Sequence, residues 1–438
     1  MPALSLRKFF TDFFFVQSRS WLSIVLGIAS SVILARALGP SGRGVLALSM
    51  LIPSLLSTFL NLGVSPANVY HISTKKFTSQ TVIRCSLQLW LLLSILGIAI
   101  GVLCIVVWGN TWFPNIPQPY LYACLALFPL ILLNSFLTSI LQGQQRFKEY
   151  NIATLVLPVL QLMLIFIFLW ILNLGVMGAI SSQAIGCFVA LVIGSFLLGR
   201  AMWVKEDKEQ VSKCRQKTIG YGFRVHLSNI MAFVNYRADM FILNLFMAPS
   251  FVGIYTMAVG LAEKLWLLSQ GISTVLLPKL GELHENEKKR RELTPFIARW
   301  VLVITFTGSV ILWFMIPYII LFLYGEDFIG AVNPFRILLV GITLGASSRV
   351  LANDLAARGK PEFNFYSSIV IVTMNIVLNI LLIPRYGMTG AAIATSTAYS
   401  VNFFIKIFLY KYLSQCNLRQ IFMPNNLDSR AFNFLMGR

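Results

Sequence analysis

Long apolar segments constrain this chain more than any other feature of its sequence. A helix that crosses a bilayer needs roughly 20 mostly apolar residues, and segments of that length recur along the whole sequence. Because backbone groups find no water inside a bilayer, such segments must form helices. The sequence therefore predicts an all-α polytopic membrane protein with about twelve transmembrane helices. They lie near 18–37, 44–66, 84–108, 119–141, 152–172, 176–199, 220–246, 251–277, 297–323, 334–356, 364–383 and 388–411.

The distribution of positive charge predicts how the chain is oriented. A formal net charge of +19 would suggest nucleic acid as a partner of a soluble protein. Here the basic residues fall in alternate loops and in the C-terminal tail, whereas the other loops contain only Arg36, Arg43 and Arg385. This bias follows the positive-inside rule, so we expect both termini in the cytoplasm and no nucleic-acid partner. The segments predicted to be cytoplasmic are 200–217 and 278–296, and those predicted to be outside are 108–120 and 324–333.

An internal repeat predicts two parallel halves. The sequence LGPSGRGVLA at 38–47 returns as MAPSFVGIYT at 247–256, and LGVMGAI at 174–180 returns as YGMTGAAI at 386–393. Two copies with an even number of spans are related by an axis along the membrane normal. GPSGRG is therefore predicted to be a turn between spans, and the first span should be retained to keep six helices in each half. The predicted divisions are a lobe at 1–200, a cytoplasmic linker at 201–216, a lobe at 217–412 and a cytoplasmic tail at 413–438.

Charged side chains within the predicted spans mark the candidate site. Each costs about 2.5–3.5 kcal/mol on insertion scales, so it usually faces a wet cavity or a partner. Two interpretations stay open, namely ion pairs that fix helix packing, or a positive cavity that attracts an anion. Five cations against three acids favour uncompensated arginines, and a guanidinium suits pyrophosphate because it bonds two oxygens at once. The charged residues are Arg224, Arg237 and Asp239 in span seven, Glu263 and Lys264 in span eight, and Arg336, Arg349 and Asp354 in span ten.

We predict two roles for these charged residues and for Arg36. The first set is predicted to contact the anionic substrate, and the second to orient those cations or to couple transport to an ion such as H⁺ or Na⁺. No catalytic constellation is visible, and the six cysteines have no paired spacing, so we expect neither an enzyme nor a metal site, disulfide or cofactor. The first set is Arg36, Arg224, Arg237, Lys264 and Arg349, and the second is Asp239, Glu263 and Asp354.

Several segments resemble the oligosaccharide flippases of the polysaccharide biosynthesis family, within the multidrug and polysaccharide exporter superfamily. They are ILARALGPSGRGVLAL at 33–48, RADMFILNLFMAPSFVGIYTMAVGLAEKLW at 237–266, LYGEDFIGAVNPFRILLVG at 323–341 and NIVLNILLIPRYGMTGAAIATSTAY at 375–399. The resemblance implies a V-shaped fold of two six-helix lobes that works by alternating access. It also implies outward movement of a polyprenyl-pyrophosphate-linked oligosaccharide across a bacterial cytoplasmic (inner) membrane. The implied partners are that lipid, membrane lipids, and polysaccharide polymerase or glycosyltransferase machinery.

Two other functions remain open at this point. One is a cation-coupled multidrug exporter of the same fold, which would be expected to carry an acid in a helix of the first lobe. No acid occurs between Asp12 and Glu149, which argues against that function. The other is a non-transporting membrane protein whose charged loops recruit synthetic enzymes.

Overall fold

The chain folds into helices joined by short turns. The computed structural model describes residues 6–199, 207–267, 269–270, 287–358, 360 and 362–415, and within them the regular structure is entirely helical. The helices are α1 (Leu6–Leu60), α2 (Val64–Ser73), α3 (Ser79–Trp112), α4 (Gln118–Leu125), α5 (Phe128–Gly143), α6 (Phe147–Ile165, continued by a π-helical turn Phe166–Ile171), α7 (Gly175–Leu198), α8 (Lys208–Phe246), α9 (Pro249–Ala262, followed by a 3₁₀ turn Glu263–Leu265), α10 (Glu287–Leu323), α11 (Val332–Ala357, preceded by a 3₁₀ turn Glu326–Ala331) and α12 (Glu362–Ser414).

The lengths of most of these helices agree with the predicted spans, although α8 and α9 are not among the described segments that are long and apolar enough to cross a membrane. In the described part of the chain, eight helical segments are long and apolar enough to cross a membrane. Two of them, within α1 and α12, have 42 and 53 residues, so each accommodates two of the predicted spans. The predicted spans seven and eight fall on α8 and α9, although residues 271–277 at the end of span eight lie outside the described residues. The prediction of an all-α polytopic membrane protein is confirmed.

Glycines separate the two spans in each double helix. Gly39 has φ 63° inside α1 and is followed by Pro40, which cannot continue a helix because it has no N–H. The predicted break between the two spans therefore lies at Gly39, whereas residues 40–44 of the GPSGRG segment already belong to the helix that follows. Gly387 has φ 55° inside α12, and its predicted repeat partner Gly175 has φ 57°. Both positions require the left-handed conformation that glycine adopts without steric cost.

The chain divides into two compact units. The first comprises residues 1–233 and 248–253, and the second comprises 234–247 and 254–438. The boundary therefore passes through α8. The predicted lobe boundaries rest on the sequence repeat, which is a different criterion, and they stay a prediction. Residues 201–206 of the predicted linker and 416–438 of the predicted tail lie outside the described residues.

Buried polar contacts tie helices together in the first unit. Asn68 of α2 is 1% exposed. Its amide donates to Ser139 Oγ of α5 at 3.1 Å, and its oxygen accepts from Ser86 Oγ of α3 at 3.1 Å. Inside a bilayer such bonds hold helices together where the hydrophobic effect between them is weak. In the second unit, α11 packs against both α10 and α12.

The two repeat-related turns of the first unit contact each other reciprocally. A Cβ added to Gly44 would lie 1.7 Å from the carbonyl oxygen of Pro249. A Cβ added to Gly253 would lie 2.1 Å from the carbonyl oxygen of Pro40. Pro40 and Gly44 correspond to Pro249 and Gly253 in the repeat, so each turn contacts the other through the same two positions. Only glycine permits backbones to approach this closely.

Candidate anion-binding site

The charged residues of the second unit come from three segments. Arg237 and Asp239 lie on the C-terminal half of α8, Glu263 and Lys264 on the 3₁₀ turn after α9, and Arg349 on α11. The 3₁₀ turn changes the direction of successive side chains relative to an α-helix. Arg349 contacts Tyr236, which directly precedes Arg237, and Trp266, which lies two residues after Lys264. These contacts bring together the three segments that carry Arg237, Glu263, Lys264 and Arg349, and we call these four residues the cluster.

Arg349 is held in an aromatic cradle. Its guanidinium carbon lies 4.2 Å from the centroid of the Trp266 ring, within cation–π distance. Its Nη2 donates a hydrogen bond to the Tyr236 hydroxyl at 3.1 Å. Trp266 is itself fixed, because its Nε1 donates to the carbonyl oxygen of Ile342 at 3.0 Å. Within the described residues, no carboxylate oxygen lies within 4 Å of the Arg349 guanidinium, so the remaining N–H groups are available to a ligand.

Arg237 and Lys264, like Arg349, have no carboxylate bonded to them among the described residues. Both side chains are exposed at the surface of the chain, whereas Glu263 is half-buried. No ion pair within 4 Å joins either cation to Asp239 or Glu263 in the part of the chain that the structure describes. The interpretation in which these residues form helix-fixing ion pairs therefore has no contact to support it there.

Asp239 has a different environment from Arg237, two residues before it. Its side chain is 2% exposed. Oδ1 accepts from the backbone N–H of Met240 at 2.7 Å, and Oδ2 accepts from the hydroxyls of Tyr255 at 2.6 Å and Thr395 at 3.2 Å. Asn375 donates to the Thr395 hydroxyl at 3.5 Å and extends the network. Asp239 thus links α8 to α9 and α12 through hydroxyl groups.

Asp354 belongs to a separate ionic network at the C-terminal end of α11. Its Oδ1 accepts from Arg290 at 3.4 Å and from Thr294 at 3.0 Å, and its Oδ2 accepts from Arg358. Arg358 also bonds Glu287 at 2.8 Å. Burial alone lowers the pKa of Arg358, but the two carboxylates outweigh burial and raise that pKa above its usual value. This network joins α10 to α11 and includes none of the three clustered cations.

The remaining predicted site residues lie elsewhere. Arg36 is an exposed residue of the first unit, and Arg224 lies on α8 with its side chain outside the described residues. Arg336 donates from Nε to the carbonyl oxygen of Trp313 at 3.1 Å. The bond of Arg336 thus joins α11 to α10.

Sequence reasoning missed the groups that hold the cluster in place. Tyr236 and Trp266 are aromatic residues at positions typical of a helix core, so no sequence signal distinguishes them. Lys406 was also missed, although a lysine within a predicted span was a visible signal. Its side chain is 3% exposed and donates to Asn364 Oδ1 and Ser367 Oγ, both at 2.6 Å.

The eight long apolar helical segments of the described residues are those of an integral membrane protein. The family model described as "Polysaccharide biosynthesis protein" matches residues 33–333, which is more than half of the chain. The chain belongs to this family, and the predicted resemblance is confirmed.

Two relatives of known sequence are similar to longer or shorter parts of this chain. A putative O-antigen transporter of Shigella flexneri is 21% identical over 412 residues, covering 88% of this chain and 94% of the relative. The probable flippase AglR of Haloferax volcanii is 31% identical over 166 residues, covering 36% of this chain and 34% of the relative.

Solved structures share the fold. The lipid II flippase MurJ in an inward closed conformation has a TM-score of 0.75 and 17% identity, covering 96% of this chain and 91% of that one. An inward-facing multidrug resistance MATE transporter has a TM-score of 0.74 and 14% identity, covering 90% and 94%. The predicted fold class is thus confirmed, and the fold alone does not distinguish a flippase from a drug transporter.

Proposed function

We propose that this chain is a flippase that moves a polyprenyl-pyrophosphate-linked oligosaccharide from the cytoplasmic to the outer leaflet of the cytoplasmic membrane. The contacts of Arg349 with Tyr236 and Trp266, which bring together the segments that carry Arg237, Lys264 and Arg349, carry the proposal. These three cations outnumber the two acids of the same segments, Asp239 and Glu263, and an excess of positive charge within predicted spans favours an anionic ligand. The names of relatives in the same family, a putative O-antigen transporter and a probable flippase, support the same class of substrate.

Each part of the site has a proposed task. Arg349 binds the pyrophosphate through the N–H groups that Tyr236 leaves open, and its cradle lowers the entropic cost of ordering that side chain. Arg237 and Lys264 are exposed and add charge with more freedom to follow the ligand. The sugars contact polar groups, and the lipid tail stays in the bilayer.

Ion coupling and partners are further parts of the proposal. Asp239 is a candidate coupling group, because it is an intramembrane carboxylate whose oxygens accept from hydroxyls rather than from a cation. The coupling ion would be H⁺ or Na⁺. Both termini would be cytoplasmic, where polymerase or glycosyltransferase machinery could deliver or receive the substrate. The chain would move its substrate by alternating access without changing it chemically.

Transport into inverted membrane vesicles tests the function. A labelled pyrophosphoryl lipid oligosaccharide added to the exposed leaflet should become protected from a non-permeant sugar-cleaving enzyme. We expect Lys264→Ala to reduce the initial rate by about tenfold or more, because one hydrogen bond between charged groups contributes on the order of 1.5–3 kcal/mol. Lys360→Ala is the matched control, since Lys360 is an exposed cation that pairs with Glu362 at 3.9 Å outside the cluster.

Three results would contradict the proposal. Full transport by Lys264→Ala and by Arg349→Ala would mean that the cluster does not bind the substrate. Uptake of cationic drugs without protection of the lipid would identify a multidrug exporter. Protection that is the same with and without the protein would leave a non-transporting assembly role.

A further inference from the structure

The turn between α2 and α3 carries a lysine that is fixed on an aromatic side chain. The Nζ of Lys76 donates to the hydroxyl of Tyr70 at 2.7 Å and lies 4.6 Å from the centroid of the same ring. Lys75 has φ 54°, a left-handed conformation that ends α2, and the backbone N–H of Lys76 donates to the carbonyl oxygen of His71 at 3.0 Å. The end of α2 thus places Lys76 against Tyr70.

The first half of α8 brings a second lysine to the same place. The rings of Tyr70 and Tyr221 stack with their centroids 4.4 Å apart and their planes 4° apart. Lys217 lies one helical turn before Tyr221 on the same face of α8, and its Nζ lies 5.7 Å from the centroid of the Phe77 ring. Phe77 directly follows Lys76 in the chain. A closed series of contacts therefore joins the two lysines, and we call Tyr70, Lys76, Phe77, Lys217 and Tyr221 the basic aromatic patch.

Close backbone packing fixes the two sides of the patch. A Cβ added to Gly222 would lie 2.3 Å from the carbonyl oxygen of Leu62, and one added to Gly63 would lie 2.2 Å from the carbonyl oxygen of Gly222. Glycines at these positions let α8 approach the junction of α1 and α2. Because Gly222 directly follows Tyr221, this approach determines where Tyr221 meets Tyr70.

Acids do not compensate the positive charge of the patch. The sequence contains no Asp or Glu from residue 61 to 84 or from 210 to 233. In the part of the chain that the structure describes, neither Lys76 nor Lys217 has a carboxylate oxygen within 4 Å. Lys213, one turn before Lys217, differs because it pairs with Glu209 at 2.6 Å.

His71 lies among the rings of the patch. Its imidazole is 2% exposed, and its centroid lies 5.2 Å from that of Phe77 and 6.4 Å from that of Tyr221. Burial lowers the pKa of this imidazole, and the charges of Lys76 and Lys217 lower it further. Among the described residues neither of its nitrogens has a hydrogen-bond partner, which is unusual for a buried polar group. The interior of the patch therefore adds no negative charge to offset the lysines.

We propose that the basic aromatic patch binds the headgroup phosphate of an anionic membrane phospholipid. Lys76 lies between the predicted spans 44–66 and 84–108, and Lys217 lies just before the predicted span 220–246. Both lysines therefore fall at the level of the headgroups, on the side predicted to be cytoplasmic, where basic residues attract anionic lipids and tyrosines are enriched. The two ammonium groups bind the phosphate oxygens. Because aromatic contacts already hold both lysines, binding orders fewer side chains.

Lipid binding to the purified full-length chain tests the proposal. Native mass spectrometry in a neutral detergent compares the Kd for dioleoyl phosphatidylglycerol with the Kd for dioleoyl phosphatidylcholine. We expect phosphatidylglycerol to bind about tenfold more tightly, and Lys76→Gln and Lys217→Gln each to weaken that binding by about fivefold. Lys217→Arg should bind like the wild type because it keeps the charge.

Lys213→Gln is the matched control for charge. It removes the same formal charge one turn before Lys217, at a position that already pairs with Glu209, so its Kd should stay within about twofold of the wild type. Equal weakening by Lys213→Gln and Lys217→Gln would indicate a diffuse positive field and would overturn the site. An unchanged Kd in both Lys76→Gln and Lys217→Gln would overturn it as well.

The role of the stacked tyrosines is tested at constant charge. Tyr221→Leu removes the stack and should weaken phosphatidylglycerol binding by about threefold, whereas Tyr221→Phe keeps the stack and should bind like the wild type. The Tm of each variant shows whether the chain remains folded. A folded Tyr221→Leu chain that binds as tightly as the wild type would overturn the aromatic part of the site.

Two other probes identify the source of the phosphate. Glycerol phosphate, which lacks acyl chains, should bind at least about tenfold more weakly than phosphatidylglycerol, because it buries no apolar surface. Equal affinity would overturn a lipid ligand. If Lys76→Gln and Lys217→Gln weaken the binding of polyprenyl pyrophosphate and leave that of phosphatidylglycerol unchanged, the phospholipid is not the ligand. This site lies in the first unit, and its test does not depend on the proposed transport function.

Discussion

Arg237 and Asp239 show how two residues on one helix acquire different roles. Residues two apart lie about 200° apart around an α-helix, so their side chains do not face each other. The structure agrees, because Arg237 is exposed and Asp239 is 2% exposed. Sequence spacing alone predicted this separation. The partners of Asp239 were not predictable, since Tyr255 and Thr395 are 16 and 156 residues away.

A double variant tests whether Arg237 serves the ligand or neutralises Asp239. If Arg237 binds the anionic ligand, the Arg237→Ala variant should lose most of its export activity. The double variant Arg237→Ala, Asp239→Ala should then be inactive as well. Removing the Asp239 carboxylate leaves donors of Met240, Tyr255 and Thr395 unsatisfied, at about 1–3 kcal/mol for each buried group. We therefore expect the double variant to have lower stability than the single one, measured as the loss of fluorescence-detected folded protein on heating.

Export must be compared at equal amounts of membrane protein. Asp239→Asn alone is the control for the proposed coupling role of Asp239, because it keeps one acceptor oxygen and removes the charge. An inactive double variant supports ligand binding by Arg237 only where Asp239→Asn alone still exports. Restored export in the Arg237→Ala, Asp239→Ala chain would mean that the two charges neutralise each other. The prediction that Arg237 binds the ligand would then be wrong.

The aromatic cradle of Arg349 could not be predicted from the sequence. Tyr236, Trp266 and Arg349 come from three separate segments of the chain, and a tyrosine or tryptophan in an apolar helix usually packs in a core. The arginine was identifiable as a charge within a span. Its orientation depends on the 4.2 Å contact with the Trp266 ring, which only the folded chain reveals.

At the scale of the helices, the sequence predicted where helices break and did not predict where a helix is distorted. Gly39 followed by Pro40 correctly indicated a break, and Gly387 correctly matched Gly175. The 3₁₀ turn at Glu263–Leu265 contains neither glycine nor proline, and Gly260 three residues before it lies in regular helix. Intrinsic helix preference favours both Glu263 and Lys264, so the local sequence does not indicate the distortion.

Gly44→Ala tests the contact between the repeat-related turns. A methyl group there would meet the Pro249 carbonyl oxygen at 1.7 Å, so α9 would have to move away from α1. We expect a loss of about 1–3 kcal/mol, comparable to overpacking a core, and a lower Tm of the purified chain in detergent. Gly253→Ala should have a similar effect, because the contact is reciprocal.

Gly27→Ala is the matched control on the same helix. Nothing lies within 4 Å of a Cβ added at Gly27, and alanine is the better helix former by about 1 kcal/mol, so its Tm should be unchanged or higher. The double variant Gly44→Ala, Gly253→Ala should lose less than the sum of the single losses, since both disrupt one contact. Additive losses, or a Gly44→Ala chain as stable as Gly27→Ala, would contradict the contact.

For the whole molecule, hydrophobicity and repetition predicted the fold class without any knowledge of contacts. Every predicted span that is described falls on a helix, because spanning segments are fixed by local composition and by the bilayer thickness. The predicted lobe boundaries stay a prediction. The boundary between the two compact units at residues 233 and 234 passes through α8 and follows a different criterion, because compact packing depends on distant contacts that no repeat encodes.

The charge distribution predicts the orientation of the whole chain in the membrane, and labelling can measure it. Asn115 lies in the loop predicted to be outside, and Ser212 lies at the start of α8 in a segment predicted to be cytoplasmic; both are exposed. With the native cysteines replaced by serine, a membrane-impermeant thiol reagent should label Asn115→Cys in intact cells and Ser212→Cys only after the membrane is opened. The reason is the bias of lysine and arginine toward the cytoplasmic loops, since moving such charges across the bilayer is unfavourable. Inverted vesicles provide the control, because the two labelling patterns should exchange there. Labelling of Asn115→Cys in inverted vesicles but not in intact cells would reverse the orientation and with it the direction of transport that we propose.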